Sequence, residues 1–309
     1  MVRDRGPRLG NDGKVYDFIE VGTADHTTIT HWFANDKEKA SWTCAEIGLR
    51  RKDLGPACCA RGLAVDPSSH HLAALPNLPN VHKVQVAMDE CCGQDDFYFV
   101  SQENIERNTG KFHSYFSKEP DAKEVDVFWY AGSLGSLGTP HPNLFYMLQN
   151  IGRSNLLEKK VIEVYDWRLL CEKYQVGYVD IVQLDCEGKD CGILRGMLNH
   201  HRRTHWPLPR VIKFEANHLT SEEEIQHTLE SLAGFGFKVI YRGRCNILLQ
   251  RDVARLTRRR GRRRRKNNRT HRFNTDELSI PAVTDTRECL MRSNPICINS
   301  GITFLSCGA

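Results

Sequence analysis

Residues 179–188, which read VDIVQLDCEG, decide the fold class of this chain. The first six side chains are mainly apolar and β-branched, as is typical of a buried strand in a parallel sheet. The strand ends in the acidic turn Asp185-Cys186-Glu187, and Gly188 then leads into a segment of helical composition. The stretch therefore predicts a strand, a turn and a helix, with carboxylates placed where the strand ends.

The same alternation of strand and helix continues on both sides of this stretch. Strands that alternate with helices predict a parallel sheet covered on both faces. The last two apolar runs, residues 237–241 and 245–250, predict an antiparallel pair that closes the sheet. We therefore predict an α/β fold with a Rossmann-like, doubly wound, mostly parallel sheet and an antiparallel C-terminal strand. The other predicted strands cover residues 16–22, 62–66, 81–87, 97–100, 125–129, 161–165 and 210–215.

The chain divides by composition into three parts. Residues 1–14 are polar and predict a flexible leader, residues 15–252 hold the predicted strands, and residues 253–309 predict a disordered basic tail. The net charge of the whole chain is +5, but much of the positive charge lies in residues 257–272, TRRRGRRRRKNNRTHR. Without this segment the chain is acidic, which argues against a nucleic-acid-binding surface on the folded part.

The arginine-rich segment, residues 257–272, has three interpretations that stay open. It fits a nuclear-targeting or nonspecific nucleic-acid-binding patch, because arginine runs bind phosphates without reading sequence. It also fits attachment to an anionic membrane surface, or a solvated tail without a specific role. In the first case the protein is a nucleic-acid-binding protein or an RNA methyltransferase that uses its tail.

Two absences in the sequence bear on the compartment. No apolar run reaches the roughly 18 residues needed to span a bilayer, and no apolar stretch follows the charged N-terminus as in a secretory signal peptide. The 12 cysteines include the adjacent pairs Cys58-Cys59 and Cys91-Cys92 but lack the spacing of a zinc site. We therefore expect reduced thiols in an intracellular, cytoplasmic protein without a transmembrane segment, with nuclear entry through the arginine-rich segment as the alternative.

Small and acidic residues gather at the predicted strand ends. Ligands of doubly wound sheets bind at the carboxyl ends of the strands, close to the point where the strand order reverses. Gly22 allows the backbone to approach a ligand closely, and Asp66 could accept hydrogen bonds from ribose hydroxyls. The first turn lacks the pattern G-x-G-x-x-G, and its carboxylates suit a cationic cofactor better than a phosphate. S-adenosylmethionine, which carries an ammonium and a sulfonium, is therefore favoured over a nicotinamide cofactor.

Four segments in order along the chain carry a resemblance to a known family. They are residues 17–25 (DFIEVGTAD), 62–67 (GLAVDP) with 75–81 (LPNLPNV), 179–188, and 209–215 (PRVIKFE). Together they resemble FkbM-family methyltransferases, and the loop at 132–142, GSLGSLGTPHP, is similar to the loop that precedes the later strands of that family. The resemblance covers about residues 15–250 and implies a class I methyltransferase fold with S-adenosylmethionine as the methyl donor.

The resemblance also implies roles for individual residues. Asp66 would bind the ribose of the cofactor, Ala87 and Met88 would flank its adenine, and Asp185 would lie beside the transferred methyl group. Replacing Asp66 with alanine should then weaken cofactor binding with little loss of stability. The acidic ends of the first two strands are 46 positions apart rather than about 20, so residues 35–60 would be an insertion. The residues of the first turn that would contact the cofactor are Glu20, Gly22, Thr23, Ala24 and Asp25.

Methyl transfer to a hydroxyl group needs an acceptor held in line and a base for its proton. The base candidates are Asp185, Glu187, Glu215 and His218. The three carboxylates could also bind a divalent metal, although nothing in the sequence requires one and we predict no metal site. The predicted function is O-methylation of a sugar or another small hydroxylated metabolite.

Each candidate also has a structural interpretation that the sequence leaves open. Gly22 and Gly188 fit ordinary turn glycines, and Glu187 fits a helix cap. His218 fits a surface histidine. His141, which lies between two prolines, fits either a loop residue or one that faces the methyl acceptor.

Overall fold

The structure is a computed structural model, and it describes residues 13–23, 29–34, 60–108, 110, 132–243 and 245–251. Every described residue belongs to the unit Met1–Gly261. Most of the predicted leader, the predicted strand at 125–129, most of the predicted insertion and the arginine-rich tail lie outside the described residues. No helix in the described part of the chain is long and apolar enough to span a membrane.

Strands and helices follow one another along the described chain. The strands are β1 (Lys14–Val21), β2 (Gly62–Val65), β3 (Val81–Val84), β4 (Ala87–Met88), β5 (Gly93–Phe99), β6 (Ser136–Leu137), β7 (Glu158–Tyr165), β8 (Val176–Leu184), β9 (Val211–Glu215), β10 (Phe237–Arg242) and β11 (Asn246–Arg251). The helices are α1 (Ile29–Phe33), α2 (Ser69–Ala74), α3 (Gln102–Arg107), α4 (Pro142–Asn150), α5 (Trp167–Tyr174), α6 (Asp190–Thr204) and α7 (Glu222–Gly234).

The larger sheet has seven strands in the order β10-β11-β9-β8-β1-β2-β3. Strands β1, β2, β3, β8 and β9 pair in parallel, whereas β11 runs antiparallel to both β9 and β10. The predicted mostly parallel α/β sheet is therefore confirmed, as is the antiparallel pair at its C-terminal end. From β1 the strands continue to one side of the sheet as β2 and β3, and from β8 they continue to the other side with β9. These two strands thus form the switch point at which open α/β sheets bind ligands.

A second, four-stranded sheet corrects one part of the sequence prediction. Its order is β4-β7-β5-β6, and β5 pairs antiparallel with β7. The sequence predicted parts of β5 and β7, at residues 97–100 and 161–165, but assigned them to the parallel sheet, which was wrong. It also joined Ala87 to the predicted strand at 81–87 and did not predict β6. The alternation along β7 gives the physical reason, because Lys159, Val161 and Glu163 are exposed while Ile162 and Val164 are buried. One solvated face is typical of an antiparallel sheet and not of a parallel sheet covered on both sides.

Helices cover both faces of the larger sheet. On one face, α5, α6 and α7 pack against the strands through side chains that include Trp167, Leu194 and Ile225. On the other face, Ile29 of α1 and Leu72 of α2 contact the strands. Packing of apolar helix faces against both sides of the sheet accounts for the buried, mainly apolar character of its central strands.

Candidate functional site

The candidate site lies at the carboxyl edge of the seven-stranded sheet, where the chain leaves β1 and β8. Gly22 follows β1 with a φ of +77°, and a Cβ atom on it would lie 1.8 Å from the backbone oxygen of Asp185. The amide of Asp185 donates to the backbone oxygen of Val21 over 2.9 Å. A side chain at position 22 would force the two strand ends apart, so this close approach requires glycine.

Three predicted site residues meet beside this close approach. Asp185, Glu187 and Glu215 each offer a carboxylate oxygen, and these oxygens all lie within 4.8 Å of one another. We call these three residues the acidic cluster. Asp185 and Glu187 belong to the turn after β8, and Glu215 ends the neighbouring parallel strand β9. The fold thus brings together side chains that the sequence placed at two separate strand ends.

A buried aspartate holds the turn after β8 against the end of β9. Asp190, the first residue of α6, accepts hydrogen bonds from the amides of Cys186 and Glu215, each over 3.0 Å. Burial, and then the charge of Asp185, raises the pKa of Asp190 to about 7. Because one carboxylate accepts from both segments, Asp190 fixes the separation of the two parts of the acidic cluster.

The acidic cluster places the exposed carboxylate of Asp185 beside the part-buried carboxylates of Glu187 and Glu215. Burial raises the pKa of Glu215 far above its ordinary value, and the charges of Asp185 and Glu187 raise this pKa further. Oε2 of Glu215 is buried and accepts no hydrogen bond from the described residues. At neutral pH Glu215 therefore holds a proton unless a cation takes its place. The arrangement suits a positively charged ligand.

A histidine that the sequence analysis assigned to a loop contacts the acidic cluster. Nδ1 of His141 accepts the amide of Asn143 over 3.1 Å and so caps α4. Its Nε2 must then carry the hydrogen, which it donates to Glu187 Oε2 over 3.1 Å. The Nδ2 of Asn217 approaches the same oxygen at 3.4 Å. His141 and Asn217 thus hold Glu187 in place, and the placement of His141 between two prolines was the signal that could have identified it.

His218, a predicted base, lies at the margin of the site. Its ring is exposed, and its centroid is 6.4 Å from that of His141 in an edge-to-face arrangement. His218 is therefore close to the group that holds Glu187, on the solvent side.

Glu20, predicted to line the cofactor, uses its carboxylate inside the protein. Its side chain is fully buried. It accepts the Ile29 amide over 2.8 Å, the Thr30 hydroxyl over 2.8 Å and the Gln183 side-chain amide over 3.3 Å. Burial raises the pKa of Glu20 to about 7 against the opposing effect of these donors. In this structure Glu20 therefore holds the first turn of α1 on the sheet.

Asp66, the predicted ribose ligand, is also hydrogen-bonded on both oxygens. Oδ2 accepts the amide of Thr23 over 2.7 Å and its hydroxyl over 3.2 Å. Oδ1 accepts the amide of Ser68 over 2.7 Å and lies 3.2 Å from Nδ1 of His71. These four contacts fill the roughly four acceptor positions of a carboxylate. A ribose would have to displace Thr23 or His71 in order to bind Asp66.

The remaining predicted cofactor residues are buried, are hydrogen-bonded within the protein or lie outside the described residues. Ala87 and Met88 form β4, and their side chains are buried. Ala24 and Asp25 lie outside the described residues. Thr23 is described, and its hydrogen bonds to Asp66 join the end of β1 to the end of β2.

The acidic cluster also has the geometry to hold a metal ion. Each of its three carboxylates can give one hard oxygen ligand, the kind that magnesium and calcium prefer. Within the described ranges, no other group of three histidine, cysteine, aspartate or glutamate side chains has this arrangement. Carboxylate groups of this kind also occur without metal, so the arrangement alone does not identify the ligand.

No protein-family model, curated protein or solved structure matches this chain.

Proposed function

We propose that this chain is an S-adenosylmethionine-dependent O-methyltransferase that acts on a sugar or another small hydroxylated metabolite. The observation that carries the proposal is the acidic cluster at the switch point of the parallel sheet, next to the close approach at Gly22. A ligand bound at such an edge meets strand ends on both sides. The reversed strand β11 supports the same proposal, because the resemblance to class I methyltransferases implies an antiparallel strand at this end of the sheet.

The charge of the site favours this donor over a phosphate-bearing cofactor. When bound, S-adenosylmethionine supplies a methyl group on a positively charged sulfur. The unpartnered Oε2 of Glu215 and the neighbouring carboxylates attract positive charge and repel a pyrophosphate. The first turn also lacks the glycine pattern that cradles a pyrophosphate, so a nicotinamide cofactor fits less well.

Asp185 is the best-supported base for the acceptor hydroxyl. Its side chain is exposed at the strand end, whereas Glu187 accepts hydrogen bonds from His141 and Asn217. Burial favours the protonated form of Glu215, which cannot accept another proton. In the proposed reaction the bound cofactor would supply the methyl group, and the carboxylate of Asp185 would accept the proton of the acceptor hydroxyl.

The test is calorimetric titration of the full chain with S-adenosylmethionine and with S-adenosylhomocysteine, which lacks the positive charge. We expect S-adenosylmethionine to bind, and Asp185→Asn to weaken its binding about tenfold, equivalent to about 1.4 kcal/mol. The same substitution should affect S-adenosylhomocysteine less. Glu230→Gln, which removes an exposed carboxylate on α7, is the matched control and should leave both affinities unchanged.

Two outcomes would contradict the proposal. One is a folded protein that binds neither compound. The other is tight binding of NADH in a parallel titration, which would assign the site to a nicotinamide cofactor instead.

A further inference from the structure

Two adjacent exposed cysteines lie in the short connection between β4 and β5. Residues 89–92 read Asp-Glu-Cys-Cys, and both Cys91 and Cys92 are exposed free thiols. Among the other described cysteines, Cys171 and Cys191 are buried. Free cysteine is usually a buried residue, so two exposed thiols side by side call for a chemical explanation.

The connection is fixed to α6 just before the two cysteines. Asp89 forms an ion pair with Lys189 over 2.8 Å, and Glu90 forms one with Arg195 over 2.9 Å. A Cβ atom on Gly192 would lie only 3.1 Å from Asp89 Oδ1, so this glycine lets the connection lie close against the helix. The path of the chain is therefore held immediately ahead of Cys91.

The chain is also fixed immediately after the two cysteines. Gly93 begins β5 and pairs with Val164 of β7. Cys91 and Cys92 therefore span a two-residue gap between anchored segments. Their sulfur atoms are confined to a small volume, which raises the effective concentration of one thiol at a ligand held by the other.

The geometry of neighbouring residues favours a bridging ion over a direct disulfide. Disulfides require Cα atoms about 4.4–6.8 Å apart, whereas consecutive Cα atoms are about 3.8 Å apart across a trans peptide. A disulfide within the pair would therefore be strained. An ion bound between the sulfurs keeps them further apart than a direct bond would, and thiolates prefer soft ions.

We infer that Cys91 and Cys92 form a dithiol site for a soft, thiol-seeking ion, of which trivalent arsenic is the most diagnostic. With phenylarsine oxide as the probe, two arsenic–sulfur bonds form and the arsenic–oxygen bond breaks. The oxygen leaves as water with the two thiol protons. Arsenic stays trivalent, so the step needs no oxidant or reductant. This inference is independent of the proposed methyltransferase activity.

The experiment uses mass spectrometry to measure how much phenylarsine oxide stays bound to the intact full chain in an excess of a monothiol. The monothiol removes arsenic that is held by one cysteine but not arsenic that is chelated by two. Wild type should retain the probe and release it to a dithiol. Cys91→Ser and Cys92→Ser should each lower the affinity of the remaining cysteine of the pair for phenylarsine oxide about 100-fold, because the second arsenic–sulfur bond is lost.

A second adjacent pair provides the matched control. Cys58 and Cys59 lie outside the described residues, so the variant C58S/C59S removes any competing chelate there. It should retain the probe at Cys91 and Cys92, and Cys245→Ser, which changes a partly exposed thiol, should also retain it. Thermal unfolding of each variant confirms that the fold is intact. Unchanged retention by C91S/C92S, or no retention by C58S/C59S, would overturn the inference.

Discussion

Gly22 lies where the ends of the two central strands are too close together to admit a side chain. An added Cβ atom would overlap the backbone oxygen of Asp185, and the φ of +77° is one that other residues rarely adopt. We predict that Gly22→Ala lowers the free energy of unfolding by about 2–4 kcal/mol in urea denaturation. Gly234→Ala is the control, since a Cβ there meets nothing within 4 Å. Equal effects of the two substitutions would contradict the close approach.

Asp66 has a larger structural role than its position at a strand end suggests. The resemblance to methyltransferases predicts that Asp66→Ala weakens cofactor binding with little loss of stability. The structure shows a buried carboxylate with four hydrogen-bond contacts, which join Thr23 to Ser68 and His71. Removing it leaves buried donors unpaired, so we now predict a loss of about 2–3 kcal/mol in the free energy of unfolding. Urea denaturation without ligand measures this loss, and an unchanged midpoint would favour the original expectation.

At the scale of elements, α4 is attached to the acidic cluster by its capping residue. His141 caps the helix through Nδ1 and reaches Glu187 through Nε2. We predict that His141→Ala lowers the free energy of unfolding by about 2 kcal/mol and that His141→Asn restores about half, because asparagine can cap but is too short to reach Glu187. Chemical denaturation measures both variants.

The capping residue of α7 serves as a reference for the stability that a helix cap alone contributes, without a contact like that of His141 with Glu187. Ser221 caps that helix by accepting the amide of Glu224 over 3.2 Å. Ser221→Ala should cost about 1 kcal/mol, the usual value for a cap. A loss in His141→Ala no larger than this would argue against an energetic contribution from the contact with Glu187.

At this scale, the local sequence pattern predicted where strands form but not how they pair. The apolar run at 179–185 predicted β8, observed at Val176–Leu184, because strand composition is a local property. The position of Asp185 and Glu215 at one edge followed from the rule that parallel strands end together. The second sheet was missed because strand pairing depends on partners distant in sequence. The contact between His141 and Glu187 was missed for the same reason.

At the scale of the whole molecule, buried carboxylates make stability depend on pH. Burial raises the pKa of Glu20 and of Asp190 to about 7 from ordinary values of 4.5 and 3.8, and it raises the pKa of Glu215 as well. The folded state thus keeps protons that the unfolded chain has already released. The stability these groups contribute is fully present below about pH 4 and is lost as the pH rises to 7 and above.

Glu215→Gln isolates one part of this dependence. Glutamine resembles the protonated form and does not titrate, so the variant should gain stability relative to wild type as the pH rises. We predict a relative gain of about 3 kcal/mol between pH 5 and pH 8, measured by urea denaturation at each pH in the presence of a chelator. In Glu230→Gln, where the carboxylate is exposed, the difference from wild type should stay constant. A relative loss for Glu215→Gln at high pH would contradict the assigned charge state.

The direction of β11 also determines at which edge of the sheet the described chain ends. Because β11 runs against β9, the amide of Arg251 donates to the backbone oxygen of Arg210, just ahead of the start of β9. Glu215 is at the other end of that strand, about 17 Å away at the usual rise of an extended chain. The last described residue and the acidic cluster therefore lie at opposite edges of one sheet, so a substitution at Arg251 reaches the carboxylates only through the full length of β9.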